Sequence, residues 1–341
     1  MEWKKGVAIA GHICEDIVKT VDHYPREGVL ANISTIQRSV GGAVSNTSIN
    51  LARIGGVPVR AIGLMGKDDV GKFVLNTLRD NGVDTSLICI DPGEITSFTD
   101  VIQAEDTGER TFFHFKGSNE HFGPEHIDFS RVDCDLFHLA YLSLLDRFDG
   151  PDEEYGTVMA RTLHEAQQNG LLTSIDTVSS TREYFSFLAR SAMKYCDYAF
   201  TNDVEGSMIS GLDCRDGSGR LNVGNVIKTL ECCASFGVRR RVILHCPEAG
   251  FCLDAAEGLV IVPSLQLPRG FIKGSVGAGD CFCAGCLHEM ASGADVREML
   301  SFASAAAAAN LSAPDSISGM LPESGIRELM RRFPRMEEPR I

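Results

Sequence analysis

The chain has 341 residues, 44% of them hydrophobic and 23% charged, with a net charge of −14. That length suits one large α/β unit, and the composition allows a sizeable core. An acidic chain has no general pull toward phosphate backbones or anionic lipids, so nucleic acid and membrane partners are not expected; a small anion held by local N–H groups is not excluded. The apolar stretch at the start, Val7 to Gly11, is closed by Cys14, Glu15 and Asp16, too early for a signal segment or a span. A cytoplasmic protein is expected. The 12 cysteines are scattered, several among Val, Ile and Phe, and read as small buried hydrophobes of a reducing compartment.

In chain order, "GVAIAGH" predicts a strand ending at Gly11. "SNTSINLARIGG" predicts a helix, with Asn46 able to cap it and Gly55-Gly56 stopping it. "VRAIGLMG" reads as a strand, "DVGKFVLNTLRDNGV" as a helix closed by Gly82, and "LICI" as a strand. Two segments, about 14–40 and 95–118, alternate without following helices. They predict a small separate sheet inserted into the scaffold, the second as a hairpin turning at "EDTGER". After Asp135 the alternation of strands and helices resumes: "LFHLAYL", "DEEYGTVMARTLHEAQQNG", "LTSID", "REYFSFLARSAMKYC", "YAFTN", "VGNVIKTLECCASFGV" and "RVILHC", then the strands "GFCLD" and "GLVIVPS". Two Ala-rich helices close the chain, and residues 336–341 read as a frayed tail. The fold class is therefore α/β, with a mostly parallel sheet covered on both faces.

Several motifs compete for the chemistry. "GKDDVGKF" has P-loop spacing, but Phe73 stands where the magnesium-binding hydroxyl belongs, and Asp68 and Asp69 would face phosphates. It reads as an Asp-capped turn. Cys283 and Cys286 form a lone C-x-x-C, and Cys281 points elsewhere on a helix, so four converging metal ligands are lacking. Gly277 and Gly279 lack the third glycine of a dinucleotide fingerprint, since Phe282 occupies it. The remaining reading is an anion cradle: Gly277, Ala278 and Gly279 at the start of a helix, with Asp280 in its first turn. There Asp280 either accepts a proton from an attacking hydroxyl or simply caps the helix.

"GHICEDIVKTVDHYPREG", "GGAVSNTSINLARIGG", "GLMGKDDVGKFVLNTLRDNGVD", "TNDVEG" and "GSVGAGDCFCAG" follow one another in this order. The set resembles the PfkB/ribokinase family of carbohydrate kinases, from about Val7 to Leu329. The resemblance implies a single kinase domain over 1–335. Its fold would be a three-layer α/β/α sandwich of about nine strands with a small β-sheet lid, which commonly forms a homodimer interface. It implies ATP-dependent phosphorylation of a hydroxyl on a sugar-like substrate, with ATP and Mg2+ required. Asp280 would be the general base and Gly277, Ala278 and Gly279 the anion hole. Asp16, Gly41, Gly42 and Asn46 would bind the substrate. Asn202 and Glu205 would organise magnesium waters and ATP phosphates, Glu205 meeting the metal through water. His245, Gly250 and Ser304 fall where the family meets the nucleotide.

Three departures from the pattern stand out. Gly274 replaces an Asp that helps bind a monovalent cation in several members, which predicts no potassium activation. "HCPEAG" replaces a T-x-G-x-x-G loop, and Pro247 lacks an N–H. Ala43 replaces the Lys of ribokinases proper, so the chain looks more like the fructokinase and ketodeoxygluconate-kinase type. Two alternatives stay open: a nucleoside kinase, for which Phe98, Phe112, Phe113 and Phe115 could shape the lid pocket, and a sugar-binding regulator that has lost catalysis.

Overall fold

The computed structural model describes residues 3–107, 109–178 and 184–340. Gly108 of the expected hairpin turn, Arg182 and Glu183 of an expected helix, and Ile341 of the tail lie outside them.

Apolar runs bounded by glycine and by amphipathic segments build a nine-stranded sheet. From one edge its order is Gly258–Pro263, Ala249–Asp254, Arg241–His245, Tyr198–Asn202, Leu172–Thr177, Leu136–Leu142, Val7–Gly11, Val59–Gly66 and Asp84–Asp91. The strands from Arg241–His245 to Asp84–Asp91 are parallel, and the two at the other edge are antiparallel. Central strands are buried on both faces, which is why Val7–Gly11 and Leu136–Leu142 read as continuous apolar runs.

One face carries the helices Ala43–Ile54, Asp69–Asp80, Ala278–Ser292, Val296–Asn310 and Glu323–Arg332. The other carries Val158–Gln168, Phe185–Met193, Asp203–Ser210 and Val223–Ser235. Ala278–Ser292 is buried from Asp280 to Ala291. Its close approach to Val296–Asn310 depends on Gly285, where a Cβ would lie 2.7 Å from the Ala303 Cα.

A separate four-stranded sheet, in the order Ile33–Gly41, Cys14–Val21, Phe98–Ala104 and Arg110–Phe115, stands over the carboxyl ends of the central strands. These are the two segments that alternate in the sequence. The sheet's inward face carries Asp16, Val18 and Thr20 with their paired neighbours Ser39, Thr99, Val101 and Phe112. Its outer face leaves Ile36, Phe113 and Phe115 exposed. A contact between His12 Nε2, at the end of the first strand, and His114 Nε2 of this sheet, at 3.2 Å, ties it to the body. Burial, with His114 alongside, pushes His12 down to about 3, and burial lowers His114 as well.

Two expectations need correction. "DEEYG" does not start a helix; it forms the small ladder Pro151–Asp152 with Gly156–Thr157, and the helix begins at Val158. Asn46 does not cap its helix, because Gly42 occupies that position and Asn46 lies a turn inside. A helix over Asp203–Ser210 was not anticipated. Leu265 and Arg335 form a bridge just before the expected tail, and the Met336 N–H donates to the Ser264 carbonyl.

Candidate active site

The sheet's order reverses direction beside Val7–Gly11, whose neighbours are Leu136–Leu142 on one side and Val59–Gly66 on the other. Open α/β sheets bind ligands outside the carboxyl ends of strands at such a point. Two cavities open there. One, about 180 Å³, is lined by Tyr141, Asp176, Thr177, Asn202, Glu205, His245, Gly277, Ala278, Gly279 and Asp280 among others. The second, about 420 Å³, lies under the small sheet and is lined by Asp16, Ser39, Gln103, Arg110, Phe112, Val276 and Ser316 among others. The consecutive residues Val276 and Gly277 separate them.

Gly277 caps the helix Ala278–Ser292 with φ +74°, and Ser316 packs where its Cβ would be. Both facts require glycine. No side chain caps this helix end. The Ala278 N–H reaches the Ser275 carbonyl at 3.3 Å, while the N–H groups of Gly279 and Asp280 have no acceptor among the described residues. Unpaired first-turn donors at a helix N-terminus suit an anion.

Asp280, 5% exposed, is the centre of a hydrogen-bond cluster. Asn46 Nδ2 donates to its Oδ2 at 2.9 Å, and Thr47 Oγ1 to its Oδ1 at 3.5 Å. The Tyr141 hydroxyl donates to both oxygens at 3.2 Å. Burial, then the nearby Asp176 charge, push Asp280 up to about 7, against the pull of the Asn46, Tyr141 and Thr47 hydrogen bonds. A carboxyl poised near neutrality at the mouth of an anion cradle can take a proton from an alcohol. Capping is not its role, since Gly277 holds that position.

Asp16 lies in the cavity under the small sheet, and burial raises its pKa. Gly41 lets it sit there, because a Cβ at that position would lie 2.5 Å from the carboxylate. Gly42 turns the chain with φ +82° against the His12 carbonyl. Asn46 has both polar atoms engaged: its Oδ1 accepts from Ser316 Oγ at 2.7 Å while its Nδ2 holds Asp280. Its place is thus behind the carboxylate. Asn202 and Glu205 form a reciprocal capping box at the start of Asp203–Ser210, and the Thr177 hydroxyl donates to Glu205 at 2.6 Å. His245 lines the smaller cavity against Phe282, pushed down to about 4 by burial. Gly250 and Ser304 do not reach it. Gly250 is where the Phe282 ring packs, and Ser304 is buried within Val296–Asn310. Tyr141, Asp176, Thr47 and Ser316 belong to the site and were not anticipated.

Asp68 caps its helix by accepting from the Gly71 N–H at 2.7 Å, so "GKDDVGKF" is a turn. Cys281, Cys283 and Cys286 are free and buried, and burial raises each thiol well above its usual range. Among the described residues no cluster of His, Cys, Asp or Glu forms a metal site, and no helix is long and apolar enough to cross a membrane.

A three-layer sandwich with a β lid and an acid at an open helix N-terminus defines a ribokinase-like scaffold. The model of the pfkB family carbohydrate kinases matches residues 4–323, and the chain belongs to that family. It is an ATP-dependent sugar kinase. It is similar to the ATP-dependent ribose-1-phosphate kinase of Halopiger xanaduensis, 28% identical over 305 residues, covering 89% of this chain and 90% of that one. The aminoimidazole riboside kinase of Salmonella typhimurium is 28% identical over 256 residues, 73% of each chain. The structure of Arabidopsis thaliana ribokinase complexed with ribose and ATP superposes with a TM-score of 0.80 at 19% identity, covering 96% of this chain and 99% of that one.

Proposed function

We propose that the chain transfers the γ-phosphoryl group of ATP to a hydroxyl of a sugar or sugar-like molecule bound under the small sheet, with Asp280 as general base. The observation that carries this reading is a buried carboxyl raised to about 7 in the first turn of an uncapped helix between two cavities.

The acceptor lies in the cavity of Asp16, whose short carboxylate can take two hydroxyl hydrogen bonds. The unpaired N–H groups of Gly279 and Asp280, at the end of the Gly277-Ala278-Gly279 turn, donate to the γ-phosphate oxygens. Asp280 takes the acceptor's proton as its oxygen attacks phosphorus, and ADP leaves. The cavity wall carries the oxygens of Asp176, Asn202 and Glu205, hard donors of the kind that meet Mg2+ through its waters. Glu205 is committed to its capping box, so it fits a role through water. Bound there, the ion would neutralise phosphate charge.

The exposed Ile36, Phe113 and Phe115 of the lid's outer face support a homodimer through the lid. Twelve cysteines without a disulfide suit the reducing cytoplasm.

The test is an ADP-release screen over neutral sugars, sugar acids, sugar phosphates and nucleosides, run beside Asp280→Asn. Loss of about 10²–10⁴ in kcat is expected for the variant. Undiminished turnover would refute the assignment of the base. Acceptor binding without turnover in the unaltered protein would make it a regulator.

A further inference from the structure

The strand Leu136–Leu142 ends in backbone that its residues do not favour. Tyr141 has φ +65° and Ser143 φ +82°, a left-handed region that costs a non-glycine residue on the order of 1–3 kcal/mol. Two carboxylates hold the turn there. The Tyr141 N–H donates to Asp176 at 2.7 Å, and the Ser143 N–H to Asp149 at 3.0 Å. What this strained turn achieves is the placement of one phenol, in the wall of the phosphate cavity and 3.2 Å from each Asp280 oxygen.

A carboxylate offers about four acceptor sites. Asn46 uses one on Oδ2, Thr47 one on Oδ1, and the bifurcated phenol one on each. An alcohol or a water that is to lose a proton to Asp280 must first empty one of these. Asn46 and Thr47 are buried in the helix Ala43–Ile54, and Asn46 is pinned again by Ser316. The Thr47 contact is longer, at 3.5 Å, but Thr47 is fixed in its helix; the phenol's two bonds are also long for O–H···O contacts, and a strained turn carries it. It is the partner that can leave. Burial, with the Asp280 and Asp176 charges, raises the phenol well above its usual range, so it stays a donor and a poor nucleophile.

We propose that Tyr141 is a positioning residue whose hydroxyl holds the acceptor's place on Asp280 until the substrate displaces it, and so keeps water from being activated against ATP. This rests on Asp280 being the base. The suppressed reaction is hydrolysis. A water oxygen would bond to the γ-phosphorus, the bond to the β–γ bridging oxygen would break, ADP would leave with the electron pair, and the water's proton would pass to Asp280.

The test is Tyr141→Phe in the full chain with ATP and Mg2+, following ADP release without an acceptor. Acceptor-independent hydrolysis should rise about tenfold. KM for the acceptor should fall, because no phenol needs displacing, while kcat changes less. The acid limb of the rate profile should move to higher pH, since the phenol stabilises the ionised carboxyl. Tyr141→Gly suits the +65° backbone, so it keeps the fold available and should show the same rise. Unchanged hydrolysis in both variants, with Asp280→Asn inactive, overturns this proposal alone. Transfer that survives in Asp280→Asn overturns the base assignment and this proposal with it.

Discussion

Asp280→Asn should make the protein more stable at pH 8 while removing its activity. The carboxyl rises from 3.8 to about 7 on folding, mainly through burial. A shift of about three units corresponds to roughly 4 kcal/mol of cost for keeping it ionised in the fold. The sign follows from proton binding. Between pH 3.8 and about 7 the folded state holds a proton that the unfolded state has lost, so this group's contribution to stability falls as pH rises. Above about 7 the full cost is present; below 3.8 it is absent. Asparagine carries no charge and keeps an oxygen for the Asn46 amide, so the cost disappears except for imperfect pairing of its NH2 group. With unfolding entropy scaled to 341 residues, each kcal/mol moves Tm by about 1–2 °C. Melting curves at pH 8 should therefore show Asp280→Asn several degrees above the parent, and the gap should narrow to less than half by pH 5 and close only near pH 3.8. A variant less stable than the parent at pH 8, or a gap independent of pH, would refute the reasoning that the fold spends stability on an ionised buried carboxyl.

Gly42→Ala should cost about 1–3 kcal/mol in denaturant unfolding, because φ +82° and the His12 carbonyl both oppose a Cβ; an unchanged midpoint would count against that geometry. Potassium and sodium should support equal rates, since Gly274 brings no carboxylate and a side chain there would meet the Pro314 carbonyl, 2.9 Å from the Cβ position. Clear potassium activation would contradict this. Native thiol labelling read by mass spectrometry should leave Cys281, Cys283 and Cys286 unmodified, as burial both hides them and keeps them protonated. Rapid modification of any of the three would show that the helix is not packed as described.

Much of the architecture was legible because each element has one dominant signal. The lid strands alternate, the central strands are uniformly apolar, and Gly277-Ala278-Gly279 marks the open start of a helix. The unread parts of the site come from strand ends. Tyr141 and Asp176 close apolar strands far from Asp280 in sequence, and no local pattern links them. Their type and place were the available signal: a phenol and an acid at the carboxyl ends of buried parallel strands. Asn202 to Glu205 is also a capping-box spacing, which would have revealed the helix Asp203–Ser210. Asn46 offered a donor and an acceptor, and the partners that use them lie 234 and 270 residues away.

The helix bearing Asp280 packs between Ala43–Ile54, from the start of the chain, and Val296–Asn310, from near its end. Asp280 meets Asn46 and Tyr141, while Ser316 backs both Gly277 and Asn46. On the ribosome, where synthesis proceeds from the N-terminus, the Asp280 carboxyl can gain this setting only after Ser316 has emerged and docked on a helix made some 270 residues earlier. The surroundings of Asp280 are therefore completed late in synthesis, and a nascent chain stalled before that point can carry most of the sheet and lack them.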